Sequence, residues 1–332
     1  MKIEFTHQQS AHCENGVVSN LMRYNGFDIS EPMVFGIGSG LLFVNLPFLK
    51  VNHGPAISYR GIPGSIFNRF AKRTGIKIKR EKFRDPLKAK VRLDESLDRN
   101  IPVGLQVGVF NLPYFPDEFR FHFNAHNLVV YGRDGDDYLV SDPVMEHVTR
   151  LSSRDLNKVR FAKGVYAPRG HLYYPVEFPE KLVLEKAIVK GIRQTCKDML
   201  APIPIIGIRG IRYTAKSVRK WPEKKGIKTA NHYLGQIVRM QEEIGTGGGG
   251  FRFIYGAFLQ EAADMLNMPE LKTLSGEITE IGDAWRDFAI DASRIYKNRN
   301  VKDNAYNDIA DQMEMIADRE ERFFKKLRKT IA

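Results

Sequence analysis

Hydrophobic periodicity changes once along this chain, near Pro175, and no other feature limits its possible folds as much. Beyond that point the pattern is helical. Ile278, Ile281, Trp285, Phe288, Ala292 and Ile295 recur at alternating spacings of three and four, which draws one apolar stripe along a helix. Ile309, Met313, Ile316, Phe323 and Leu327 draw a second, and residues 182–200 and 251–266 read as further helices. Such stripes are core and interhelical packing. Before Pro175 the apolar residues fall in short alternating or continuous runs at 42–48, 56–59, 76–83, 103–110, 127–131 and 138–141, the texture of strands. Helical segments intervene at 12–24, 64–73 and 87–99. Ser30 is placed to cap another, with Pro32 tolerated in its first turn. The expected architecture is an α+β domain over residues 1–175, followed by a mainly α-helical domain over 176–332.

The 332 residues suffice for two such domains. Residues 1–5 are too short and polar for a signal peptide, and no apolar run approaches the roughly 20 residues of a membrane span, so no membrane association is expected. Only Cys13 and Cys196 occur. Two cysteines make neither a disulfide framework nor a zinc site, and they point to a reducing, cytoplasmic setting. No metal or resident cofactor is expected.

The formal charge of +12 is concentrated in two places. Residues 69–92 hold eleven Lys/Arg against Glu81 and Asp85, and residues 209–228 hold eight against Glu223. Each stretch is either a solvated face or a docking surface for an acidic partner. Neither interleaves aromatic residues in the manner of a nucleic-acid module, so nucleic acid is not the expected partner.

Cys13 heads the first helix of the chain. Backbone N–H groups and the helix dipole stabilise a thiolate there, the reactive form of cysteine. Residues 126–143 supply partners for it. They read as a β-hairpin with its turn signal at Asp134-Gly135. A three-residue loop at 133–135 sets His126 directly opposite Asp142, and a two-residue loop shifts the pairing by one. Either way an imidazole and a carboxylate meet at the open end, the arrangement in which an acid orients a histidine that serves a nucleophile. The plain alternative is an ordinary hairpin with a surface histidine and a turn-forming Asp-Pro. His122, His7 and His12 compete for the base role and rank below His126: His122 precedes the strand, and His12 is adjacent to Cys13, where side chains diverge. Gln8, shortly before Cys13, is the candidate oxyanion donor.

Two glycine-rich segments, 36–40 and 245–250, lack the context of phosphate-binding loops and read as tight turns or close backbone approaches.

The stretch from His12-Cys13-Glu-Asn-Gly to Asn25-Gly26, followed by Ser30-Glu31-Pro32-Met33-Val-Phe-Gly36-Ile-Gly38-Ser-Gly40, resembles the N-terminal domain of the butirosin biosynthesis protein H family. Arg60-Gly-Ile-Pro63-Gly64-Ser and the hairpin at 126–143 agree with it. Gly245–Arg252 and Ala284-Trp285-Arg286 resemble the uncharacterised helical domain that accompanies it. The resemblance implies a papain-like fold, distantly similar to bacteriocin-processing cysteine peptidases. It implies an acyltransferase of antibiotic biosynthesis that moves an aminoacyl group from the phosphopantetheine thioester of an acyl carrier protein to a small-molecule amine. Cys13 is then the nucleophile, His126 the base and Asp142 its orienting acid, with the carrier recruited by the basic residues 69–92. A cysteine peptidase or amide hydrolase with the same three residues is the alternative. In papain-like enzymes the oxyanion glutamine lies six residues before the cysteine; here His7 stands there and Gln8 is the nearest substitute.

Overall fold

A computed structural model describes residues 1–51, 53–299 and 304–331, with the backbone alone at Glu118. The chain runs through α1 (Cys13–Tyr24), α2 (Glu31–Ile37), β1 (Leu41–Val51), β2 (Gly54–Arg60), α3 (Ser65–Thr74), β3 (Lys77–Glu81), α4 (Pro86–Asp98), β4 (Val103–Val107), β5 (His126–Asp134), β6 (Asp137–Ser141), β7 (Thr149–Ser152), α5 (Ser153–Arg160) and β8 (Leu172–Glu177). Helices follow as α6 (Glu185–Met199), α7 (Gly207–Lys225), α8 (Ile227–Val238), α9 (Arg252–Leu266), α10 (Glu270–Tyr296) and α11 (Ala305–Thr330).

These elements form two compact units, one of residues 1–34 and 70–182 and one of 35–69 and 183–332. The sequence suggests a contiguous division at 175/176; the structure instead groups residues 35–69 with the helices. β1 and β2 therefore make a separate antiparallel pair rather than joining the main sheet. Their aromatic side chains explain the placement. Tyr59 of β2 stacks edge-on against Trp285 of α10 at 5.6 Å and lies under the Arg252 guanidinium at 5.5 Å. No periodicity in residues 42–59 distinguishes a strand pair that packs on helices from one that extends a sheet.

The first unit is built on a six-stranded antiparallel sheet in the order β3-β8-β4-β5-β6-β7. Its core includes Leu93 and Leu97 of α4, Val103, Leu105 and Val107 of β4, Leu128 and Val130 of β5, Val140 of β6 and Leu156 of α5. Short β7 and β8, on either side of α5, are strands that the sequence reading lacks. α1 is helical because Val17, Val18, Leu21 and Met22 present one apolar face, and all four are fully buried. Gly26, at φ +85°, ends it, the left-handed stop expected of glycine.

In the second unit the two expected stripes are the buried faces of α10 and α11. At its centre Arg252 and Glu320 form a fully buried ion pair: guanidinium Nε donates to Oε1 at 2.9 Å and Nη2 to Oε2 at 3.0 Å. Trp285 Nε1 donates to the same carboxylate at 2.7 Å, and Arg252 also donates to the Gly250 carbonyl at 2.7 Å. Each guanidinium nitrogen thus has an acceptor and both carboxylate oxygens have donors, which is what burial of two charges demands.

Candidate active site

Cys13 is the first residue of α1 and is buried. His12, at the N-cap position, has an extended backbone and makes no side-chain cap. The capping function falls to Glu31, at the start of α2. Its carboxylate accepts from His12 N at 2.7 Å and from Ala11 N at 2.9 Å, so it fixes the two peptides that deliver the cysteine. Burial raises the carboxyl's pKa, and those two backbone bonds offset only part of the rise. A second anchor runs from Ser10 N to the Pro143 carbonyl at 2.6 Å. α1 approaches this segment closely because residue 16 is glycine: a Cβ there would lie 2.6 Å from Pro143 Cβ.

β5 and β6 bring the histidine and the aspartate together, by a register that differs from the one expected. Gly135, at φ +62°, takes the first central position of a two-residue turn, so Asp134 faces Asp137 and Arg133 faces Tyr138. That register alone would put Asp142 on the face opposite to His126, since one residue of slip moves every side chain across the sheet. A bulge at Tyr131 corrects it. Gly132 faces Leu139, but Val130 faces Val140 and Val129 faces Ser141. Continued to the open end, this sets Asp142 level with Leu128 and diagonal to His126 on one face. His126 Nε2 and Asp142 Oδ2 are 2.7 Å apart. The direct opposition expected from a three-residue loop is therefore corrected to a diagonal contact, and the bulge is what makes it.

Asp142 is fully buried, and both of its carboxylate oxygens are hydrogen-bonded. Tyr114 OH donates to Oδ2 at 2.8 Å, and Val144 N donates to Oδ1 at 3.2 Å. The ring of Phe115 stands edge-on to the His126 imidazole at 5.4 Å. The imidazole also hydrogen-bonds Cys13. Burial works against the charged ring, but the Asp142 carboxylate and then the Cys13 sulfur outweigh it, and His126 is pushed up to about 10. The imidazolium thus persists across the physiological range beside a sulfur that gains from its charge. Cys196 is the opposite case: burial pushes its thiol up to about 12, where it is inert.

The other expected residues lie elsewhere. Gln8 is exposed, and its backbone carbonyl, which accepts from Asn20 Nδ2 at 3.0 Å, is the group with a described partner. His7 is held between Ser141 Oγ at 2.8 Å and the Met145 carbonyl at 3.1 Å. His122 is exposed and stacks on Phe110 at 4.1 Å. The reading of isolated residues overlooked Tyr114, Glu31 and Asn127. Glu31 had a signal, the Ser30-Glu31-Pro32 segment, and Asn127 had its adjacency to His126; Tyr114 lies in a loop with none. Asn127 Nδ2 is 3.9 Å from Cys13 Sγ.

The two basic stretches separate in character. Arg212 of α7 pairs with Asp318 and Glu321 of α11, both at 2.6 Å, and Arg219 pairs with Asp311 and Glu314. Among the described residues, two of the eight cations of 209–228 are thus met by carboxylates inside the helical unit. In residues 70–92, Arg92 pairs with Glu81 and Lys90 with Asp94, while Lys72, Lys79, Arg80, Lys82, Arg84 and Lys88 are exposed. The glycines at 36–40 and 245–250 serve the backbone, as expected: a Cβ at Gly36 would strike the ring of Phe258 at 2.1 Å, and Gly247, Gly248, Gly249 and Gly250 all have positive φ. Among the described residues no helix is long and apolar enough to cross a membrane.

The sequence model of the family described as "Butirosin biosynthesis protein H, N-terminal" matches residues 12–143, and that described as "Domain of unknown function (DUF4872)" matches residues 154–327. The chain belongs to this two-domain butirosin biosynthesis protein H-like family. A cysteine-headed helix packed on an antiparallel sheet that carries the histidine at the start of β5 and the acid just past the end of β6 makes its first unit papain-like, with the helical region C-terminal to it. Membership and fold together define a papain-like cysteine enzyme. Among solved structures, that of a C39-like peptidase from Bacillus anthracis is similar over 54% of this chain and 100% of its own, at 14% identity and a TM-score of 0.38. No curated protein matches the chain.

Proposed function

We propose that this butirosin biosynthesis protein H-like enzyme is an acyltransferase that carries an acyl or aminoacyl group from a carrier-protein thioester, by way of Cys13, to the amine of a small molecule of secondary-metabolite type. The observation that carries the reading is the buried chain Cys13–His126–Asp142, with the imidazole held cationic beside the sulfur.

Cys13 thiolate attacks the thioester carbonyl. The tetrahedral intermediate collapses, its bond to the carrier sulfur breaks, and the His126 imidazolium supplies the proton that leaves with the carrier thiol. His126, now neutral, takes a proton from the amine as it attacks the acyl-Cys13 thioester, and a second collapse forms the amide and returns the thiolate. Asp142, held by Tyr114 and Val144 N, keeps one tautomer and orientation of the ring throughout. No cofactor belongs to the enzyme; the phosphopantetheine arm arrives with its carrier. We place the acidic carrier on the exposed cations between Lys72 and Lys88, and the reaction in the cytoplasm.

A hydrolase would use the same groups with water as acceptor. The decisive experiment loads Cys13 with a simple acyl group from its N-acetylcysteamine thioester and adds a primary amine at millimolar concentration. Amide should form faster than free acid; free acid alone, whatever amine is supplied, would assign the enzyme to hydrolysis.

A further inference from the structure

We propose that Asn127 is the side-chain donor to the oxyanion at Cys13, the place expected for Gln8, and that Tyr173 is the positioning residue that aims its amide. The proposal rests on the reading of Cys13 as an acyl-transfer nucleophile.

Asn127 follows His126 in β5. Successive side chains leave a strand on opposite faces, so one strand start presents a base and an amide to Cys13 from two directions. The orientation of the amide is decided by its partners. Ala125 O, 3.1 Å away, only accepts, so the atom facing it is nitrogen. Tyr173 OH donates to Oδ1 at 2.8 Å, and burial, with the negative groups at Glu14 and Cys13, raises the phenol well above its ordinary value and keeps the proton on it. One N–H of Nδ2 is therefore spent on Ala125, and the other points toward Cys13 Sγ at 3.9 Å. That is a long reach for a bond to sulfur itself. It suits an acceptor lying beside the sulfur, where the oxygen of an attacked carbonyl gathers charge.

The support behind the amide is also built. Tyr173 comes from β8, and its ring lies across Gly104 of β4, where a Cβ would stand 2.3 Å from it. Glycine at 104 is what admits the ring. Asn127 is buried, so its donor acts where water competes little. Exposed Gln8 has no such setting.

The test compares wild type with Asn127→Ala, Asn127→Asp and Tyr173→Phe in two reactions of Cys13. The first is acylation by an N-acetylcysteamine thioester, read by intact mass. The second is alkylation by iodoacetamide, a displacement that develops no oxyanion. Asn127→Ala should acylate roughly 10²–10³-fold more slowly, the scale of one oxyanion donor, and alkylate within about threefold of wild type, while Asn127→Asp, which sets a like charge beside the thiolate, should acylate at least as slowly. Tyr173→Phe should show a smaller loss of the same kind, in acylation alone. Acylation of the Asn127 variants at the wild-type rate overturns the proposal. An equal fall in both reactions of Asn127→Ala also overturns it, because it would assign Asn127 to holding the thiol. Wild-type protein that alkylates readily but takes no acyl group overturns the acyltransferase reading and this proposal together.

Discussion

Glu31 does its work through two peptides and touches no reacting atom. Removing its carboxylate leaves the N–H groups of Ala11 and His12 without their acceptor, which costs about 1–3 kcal/mol for each that stays buried. Glu31→Ala should lower stability by that order in urea and slow iodoacetamide alkylation of Cys13, because the first turn of α1 loses its tether. His126 gives the pH dependence. Its pKa is raised from 6.5 to about 10, so the charged ring favours the fold; that contribution is complete below pH 6.5 and is lost as pH rises toward 10. The stability difference between wild type and His126→Asn, followed by urea denaturation across that window, should shrink steadily; a difference that stays flat would show that the ring is not held cationic. Over the same window Cys13 should outpace a free model thiol toward iodoacetamide near neutral pH, while Cys196 stays unmodified. Cys13, His126 and Asp142 were legible as residue types at suggestive positions. Tyr114 and Asn127 were not, because tyrosines and asparagines are common and only the folded chain shows which one faces a carboxylate or a thiol.

At the scale of elements, the hairpin of β5 and β6 shows what sequence leaves open. Asp134-Gly135 signals a turn within 126–143, and a turn is there, one residue further along than the signal suggests. The bulge at Tyr131 left no mark that pattern reading detects, yet it alone puts Asp142 on the face of His126. Tyr131 is also tied down, its carbonyl accepting from Ile3 N at 3.0 Å and its ring stacked on Phe5 at 5.6 Å. Deleting Tyr131 should carry the turn register to the open end and turn Asp142 away. The fold-preserving comparison is Asp142→Asn, which keeps the shape and loses the carboxylate; acylation should fall by roughly 10⁴-fold, as for other triads deprived of their acid. If the deletion variant folds, judged by circular dichroism, and still acylates like wild type, the register argument is wrong.

For the molecule as a whole, the change of texture near Pro175 marks the end of β8 and the beginning of the helices. It does not mark where the second unit starts, because residues 35–69 belong to that unit and carry no label saying which core they join. The aromatic and arginine positions that carry the resemblance in the second half prove to be its centre: Arg252, Trp285 and Glu320 occupy one buried network. Glu320→Gln should cost about 3–5 kcal/mol in denaturant unfolding, since it leaves the Arg252 charge buried without its counter-ion. A variant as stable as wild type would mean that the network is a passenger of the packing.

The acyl-enzyme itself is the most direct test of the central claim. Wild-type protein incubated with an N-acetylcysteamine thioester should gain the mass of one acyl group, mapped by peptide analysis to Cys13. Cys13→Ala should gain none, and His126→Asn should gain it far more slowly. An adduct that persists in Cys13→Ala, or no adduct on a protein whose Cys13 alkylates readily, would contradict it.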